Sequence, residues 1–105
     1  MNAVKDKLIA LVGEELKAAN AIHPPFHSLH EGYAVLLEEV EETEEALKGV
    51  KDYLELVWHY SRMNKPEASR QMAENLEAKA IHLAAEAVQV AAMARKFQAI
   101  GKKED

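Results

Sequence analysis

Between Leu36 and Leu47 the chain reads Leu-Leu-Glu-Glu-Val-Glu-Glu-Thr-Glu-Glu-Ala-Leu, with six carboxylates in eight residues and an apolar stripe running through them. On a helix, Leu29, Tyr33, Leu36, Leu37, Val40 and Leu47 share one face at the spacing of a buried stripe. Glu39 and Glu42, three apart, then stack along the edge of that stripe. Two stacked carboxylates at a core margin repel unless a cation or base lies nearby. Oxygen-only ligands of this kind suit Mg²⁺ or Mn²⁺. The plain alternative is a solvated acidic helix face.

The rest of the chain is consistent with helices. Glycine and proline are scarce, and Ala, Leu, Glu and Lys dominate, a helical composition. A first helix is expected over about 2–21, with Val4, Leu8, Leu11, Val12, Leu16 and Ala19 on one face. Pro24 and Pro25 stop it by removing donors and disfavouring helix before them. Ser28 and Glu31 form a capping-box pattern that starts a second helix near Leu29. Gly49 is a weak point where that helix ends, kinks or continues. Val50, Leu54, Val57 and Trp58 mark a further amphipathic stretch up to Met63. Pro66 suits the first turn of a last helix running to about Ile100, with a stripe of Ala73, Leu76, Ala80, Leu83, Ala87, Val90, Ala94 and Phe97. Gly101 and the charged tail 102–105 follow. No internal repeat or strand-like alternation is visible. The expectation is one all-α domain over residues 1–105, a four-helix bundle, or three segments if Gly49 does not break the second.

With 105 residues and four amphipathic segments, the chain has little interior of its own. Ala80, Ala84, Ala87, Ala91 and Ala94 on the last helix offer a small-residue face for close helix contact. A homo-oligomer, dimer or tetramer, is expected. A net charge of −5 argues against nucleic-acid binding. No run approaches the roughly 18–20 apolar residues of a membrane span, and Lys5, Asp6 and Lys7 interrupt the N-terminal segment. Zero cysteines exclude disulfides, zinc thiolates and thiol nucleophiles. A cytoplasmic protein without membrane or nucleic-acid partners is expected.

On the last helix His82, Glu86, Gln89 and Met93 fall on one line. Antiparallel packing against the acidic helix would gather Glu39, Glu42, Glu86 and Gln89 into a hard-cation site with room for water and phosphate. The weighed alternative is surface carboxylates flanking a core. His23, His27 and His30 cluster around the two prolines and raise a transition-metal site as a weaker candidate. A ferritin-like di-iron site needs Glu-x-x-His on two helices, and no Glu here has a His three residues on.

The segments His-Glu-Gly-Tyr-Ala-Val-Leu-Leu-Glu-Glu-Val-Glu-Glu (30–42) and Ala-Glu-Ala-Val-Gln-Val-Ala-Ala-Met-Ala (85–94) resemble the MazG-like all-α nucleoside triphosphate pyrophosphohydrolases, short phage-type and bacterial members above all. That family carries Glu-Glu-x-x-Glu on one helix and Glu-x-x-Asp on a later one, binding Mg²⁺ over a triphosphate. By this resemblance Glu39 and Glu42 match the first motif and Glu86 the second, while Gln89 stands where Asp is usual. An amide ligand supplies no charge, so metal affinity is expected to fall. The resemblance covers about a third of the chain. It implies hydrolysis of a (d)NTP to (d)NMP and pyrophosphate by in-line attack of water at the α-phosphorus. Glu38 or Glu39 is the candidate base. Lys79 and Arg95 are candidates for phosphate charge, against a reading of both as solvated cations. Trp58 is a candidate for stacking a base, or else a core or interface aromatic. The competing function is a non-catalytic helical oligomer that keeps the fold and has lost the metal.

Overall fold

The computed structural model describes residues 2–102; Met1 and tail residues 103–105 lie outside them. The described residues form three helices, α1 (Asn2–Ile22), α2 (Leu29–Arg62) and α3 (Pro66–Phe97), and no strand. Gly49 does not break α2, which runs through it for 34 residues. The described residues therefore make three segments, the smaller of the two counts expected. None of these helices is long and apolar enough to cross a membrane.

The boundaries follow from local chemistry. His23 donates its backbone N–H to the Ala19 carbonyl at 2.9 Å before the two prolines end α1. The Ser28 hydroxyl accepts the Glu31 backbone N–H at 3.1 Å and caps α2. Glu31 reaches back to His27 rather than to Ser28, taking its backbone N–H at 3.3 Å and facing its ring Nδ1 at 3.1 Å. At the other end of α2, Asn64 takes φ 53°. Asn64 N–H bonds to the Ser61 carbonyl (3.0 Å) and Lys65 N–H to the Tyr60 carbonyl (2.9 Å). This paired pattern is a Schellman cap, with asparagine in the left-handed position usually held by glycine. Pro66 then opens α3, which ends at Phe97, three residues short of the expected Ile100. Residues 98–100 close in turns, Ala99 N–H to Lys96 O (3.2 Å) and Ile100 N–H to Phe97 O (3.1 Å).

Two compact units divide the residues. One takes in the chain up to Val40 and from Ala87 onward. Its core is Val12, Ala92 and Met93, with Leu16, Ala19, Phe26, Val35, Leu36 and Val88 packed against them. The other, Glu41–Glu86, is a helical hairpin in which Ala46 is the buried apolar residue. Ser69 joins its two helices: its hydroxyl donates to the Val57 carbonyl at 3.3 Å and lies 2.6 Å from the Ser61 hydroxyl. A hydroxyl has one proton, so Ser61 is the donor in that second contact.

The expected stripe on α2 is mostly not the buried one. Leu29 (59% exposed), Tyr33 (63%), Leu37, Val40 and Leu47 face outward, and of that set only Leu36 is half-buried. The covered side is instead Gly32, Val35, Leu36, Glu39, Thr43, Ala46, Gly49, Val50, Tyr53 and Val57. Small residues there let a neighbour approach closely. A Cβ on Gly32 would lie 2.6 Å from the Phe97 ring. On α1, Val4, Leu8 and Leu11 are likewise exposed, and Val12 and Leu16 carry the contact. On α3 the expected stripe is half-buried at Leu76, Ala80, Leu83, Val90, Ala94 and Phe97, but Ala73 and Ala87 are exposed.

Candidate metal centre

Glu42 on α2 and Glu86 on α3 belong to the hairpin unit, and Glu39 stands one turn before Glu42 on the same unbroken helix. Each offers a carboxylate oxygen within 4.8 Å of the others. Glu39 and Glu86 are half-buried and Glu42 is exposed. Opposite ligands of one hard divalent ion sit about 4–5 Å apart, twice a bond of 2.0–2.6 Å. Three oxygens at this spacing fit such an ion. They are the one group of three or more His, Cys, Asp or Glu ligands gathered among the described residues.

Lys79 accompanies them. A cavity of about 290 Å³ is lined by Glu42, Glu45, Ala46, Gly49, Lys79, His82 and Glu86. The missing side chain at Gly49 makes room for the lysine stem, whose Cδ lies 3.2 Å from where a Cβ would stand. The glycine that reads as a break thus admits a cation among carboxylates. His82 Nε2 lies 3.7 Å from Glu86 Oε1, beyond hydrogen-bond length but within reach of an ion pair once the ring is protonated.

The other candidates have surroundings of their own. The Gln89 amide donates to Glu15 Oε1, which ties α3 to α1. Both line a cavity of about 550 Å³ in the first unit, with Phe26, Glu31, Val35, Glu39, Met93 and Lys96 among its walls. Arg95 is exposed beside Gly13 of α1, its guanidinium 3.7 Å from a Cβ built there. Glu38 is exposed on α2. Trp58 is 63% exposed, and sixteen helical residues put it about 24 Å along the axis from Glu42. The three histidines do not gather: His27 bonds Glu31, and His23 lines the larger cavity.

Glu15, Phe26 and Lys96 were not singled out by sequence. Lys96 is buried, with its ammonium 4.8 Å from the centre of the Phe26 ring. It continues the line His82–Glu86–Gln89–Met93 by one more step of three, which is a signal that could have found it. Glu15, on the Val12–Leu16 face, had no comparable signal. The Glu31 carboxyl is held below its ordinary pKa by the hydrogen bond from the His27 side chain first, then by the His27 backbone N–H, with weaker help from the charges of His27 and Lys96.

No family model, curated protein or solved structure matches this chain.

Proposed function

We propose that the chain is a Mg²⁺-dependent nucleoside triphosphate pyrophosphohydrolase of the MazG-like kind, a cytoplasmic homo-oligomer in which helices of a second copy complete the four-helix bundle. The observation that carries the reading is the approach of Glu39, Glu42 and Glu86 to within 4.8 Å, because three like charges so close favour a bound cation. A divalent ion held there would neutralise triphosphate charge and lower the barrier to attack at the α-phosphorus. Lys79, in the same cavity as Glu42 and Glu86, holds phosphate oxygens. Glu39, which belongs to the carboxylate group, is the base for the attacking water in preference to Glu38, which lies outside it. Arg95 and Trp58 have no part in this site.

One observation favours the non-catalytic oligomer instead. Gln89, at the position where the resemblance calls for Asp, spends its amide on Glu15.

Calorimetric titration of Mg²⁺ or Mn²⁺, with pyrophosphate release from a panel of NTPs, tests both readings. Glu39→Gln and Glu86→Gln should each weaken metal binding at least tenfold with the helical signal intact. Gln89→Asp paired with Glu15→Gln, which removes the carboxylate it would repel, should tighten it. Identical isotherms for all variants would reduce the acidic cluster to solvated surface. Such isotherms would select the non-catalytic reading, whereas metal binding without turnover of any NTP would keep the metal site and overturn the hydrolase.

A further inference from the structure

We propose that the outward face of α2 is a two-fold interface on which a second copy of this chain lies antiparallel, with Leu47 at the axis. Tyr33, Leu37, Val40, Glu44, Leu47, Lys51, Leu54 and Trp58 recur at alternating steps of four and three, and all eight are exposed. That is the spacing of a helix–helix seam sustained over about 38 Å of axis. The opposite side of α2 is already covered by its own chain, so the seam is a second face.

The amount of bare surface calls for a partner. The accessible surface is 8118 Å², whereas a self-sufficient monomer of this mass exposes about 5,900 Å². Among the described residues no large side chain is fully buried. The excess of roughly 2,000 Å² is of the order that a permanent dimer removes from water. The exposed apolar side chains include six of the eight seam residues.

Charge selects both the occupant and its direction. The two polar seam positions, Glu44 and Lys51, lie equally far on either side of residues 47 and 48. A parallel second copy in register sets Glu44 against Glu44 and Lys51 against Lys51. An antiparallel copy sets Glu44 of each chain beside Lys51 of the other, twice, by symmetry. The same register brings Val40 beside Leu54, Leu37 beside Trp58, and Leu47 beside itself. Like charges that meet at the edges, Lys48 with Lys48 and Glu41 with Glu55, fall at the rim, where water screens them. An unrelated protein would need this charge order by accident; a second copy has it by construction.

Sedimentation velocity at micromolar concentration should give a dimer or a dimer of dimers for the wild type. Leu47→Glu places two carboxylates at the axis and should raise the dissociation constant at least 100-fold, with the circular dichroism of the remaining monomer still helical. Lys51→Glu alone should weaken the assembly, and Glu44→Lys with Lys51→Glu should restore it. The chain has no cysteine, so Leu47→Cys should cross-link to itself on oxidation, while Trp58→Cys should not. A wild-type monomer would overturn the proposal, as would a dimer indifferent to Leu47→Glu, which would point to the alanine-rich face of α3. Failure of the double charge swap to restore assembly, or equal cross-linking at positions 47 and 58, would overturn the antiparallel register. None of these readouts involves metal or nucleotide, so the interface stands or falls apart from the activity.

Discussion

The two units solve the same packing problem with different materials. In the first, three helices converge, and Val12, Ala92 and Met93 exclude water with six apolar neighbours. In the second, two helices meet over Ala46 and Gly49, with a serine tie, a lysine stem and apolar side chains such as Val57, Leu76 and Leu83 that are only half-buried. Where a third helix arrives, hydrophobic burial holds the contact. Where it does not, small residues bring the two helices close, and a hydrogen-bonded serine ties them.

The largest test of that contrast is a truncation in each unit. Met93→Ala should cost about 2–4 kcal/mol in chemical denaturation, through lost transfer energy and the cavity left behind. Ser69→Ala should cost about 1 kcal/mol, the scale of a hydrogen bond exchanged with water. Equal costs would erase the distinction between an apolar core and a polar tie.

Two glycines on α2 sharpen it further. An alanine Cβ at Gly32 would meet Phe97 at 2.6 Å and Ile100 at 3.0 Å. The strain of about 1–3 kcal/mol outweighs the roughly 0.5–1 kcal/mol that alanine gains in a helix, so Gly32→Ala should destabilise. At Gly49 the nearest atom is Lys79 Cδ at 3.2 Å, the middle of a flexible stem that can move by a few tenths of an ångström. Gly49→Ala should therefore leave stability equal or slightly higher. Thermal melts should fall for Gly32→Ala and hold or rise slightly for Gly49→Ala.

The smallest effect belongs to the start of α2. Glu31 has its pKa lowered in the fold from an ordinary 4.5, so its contribution is complete above that value and is lost as pH falls through the folded pKa. The melting temperatures of wild type and Glu31→Gln should differ at neutral pH and converge in acid. A gap that persists with Glu31 protonated would assign the effect to something other than its ionised carboxylate.

How far the sequence could be read depended on which interaction made each feature. Helix boundaries were legible because local chemistry makes them: Pro24 and Pro25, the Ser28 cap, and Pro66 each act within a turn. The common edge of Glu39 and Glu42 was legible for the same reason, and Glu86 followed from assuming that α2 and α3 pack antiparallel. The buried side of α2 was not. Hydrophobicity ranks the Leu37–Leu47 face above one made of Gly32, Ala46 and Gly49. The close approach that those small residues permit depends on Phe97 and Lys79, far away in sequence. The contact of Gln89 with Glu15 was not legible either, because Glu15 lies on a helix whose own pattern gives no sign of it.

The Asn64 turn also sets an order of events. It brings Val57 and Ser69 together across 12 positions, whereas Glu15 and Gln89 must find each other across 74. Closing the longer loop costs about 1.6 kcal/mol more in chain entropy. Chain entropy alone therefore favours closing the hairpin before α1 docks. The hydrophobic core, the stronger half of the molecule in static terms, is the half whose assembly waits on the slower search.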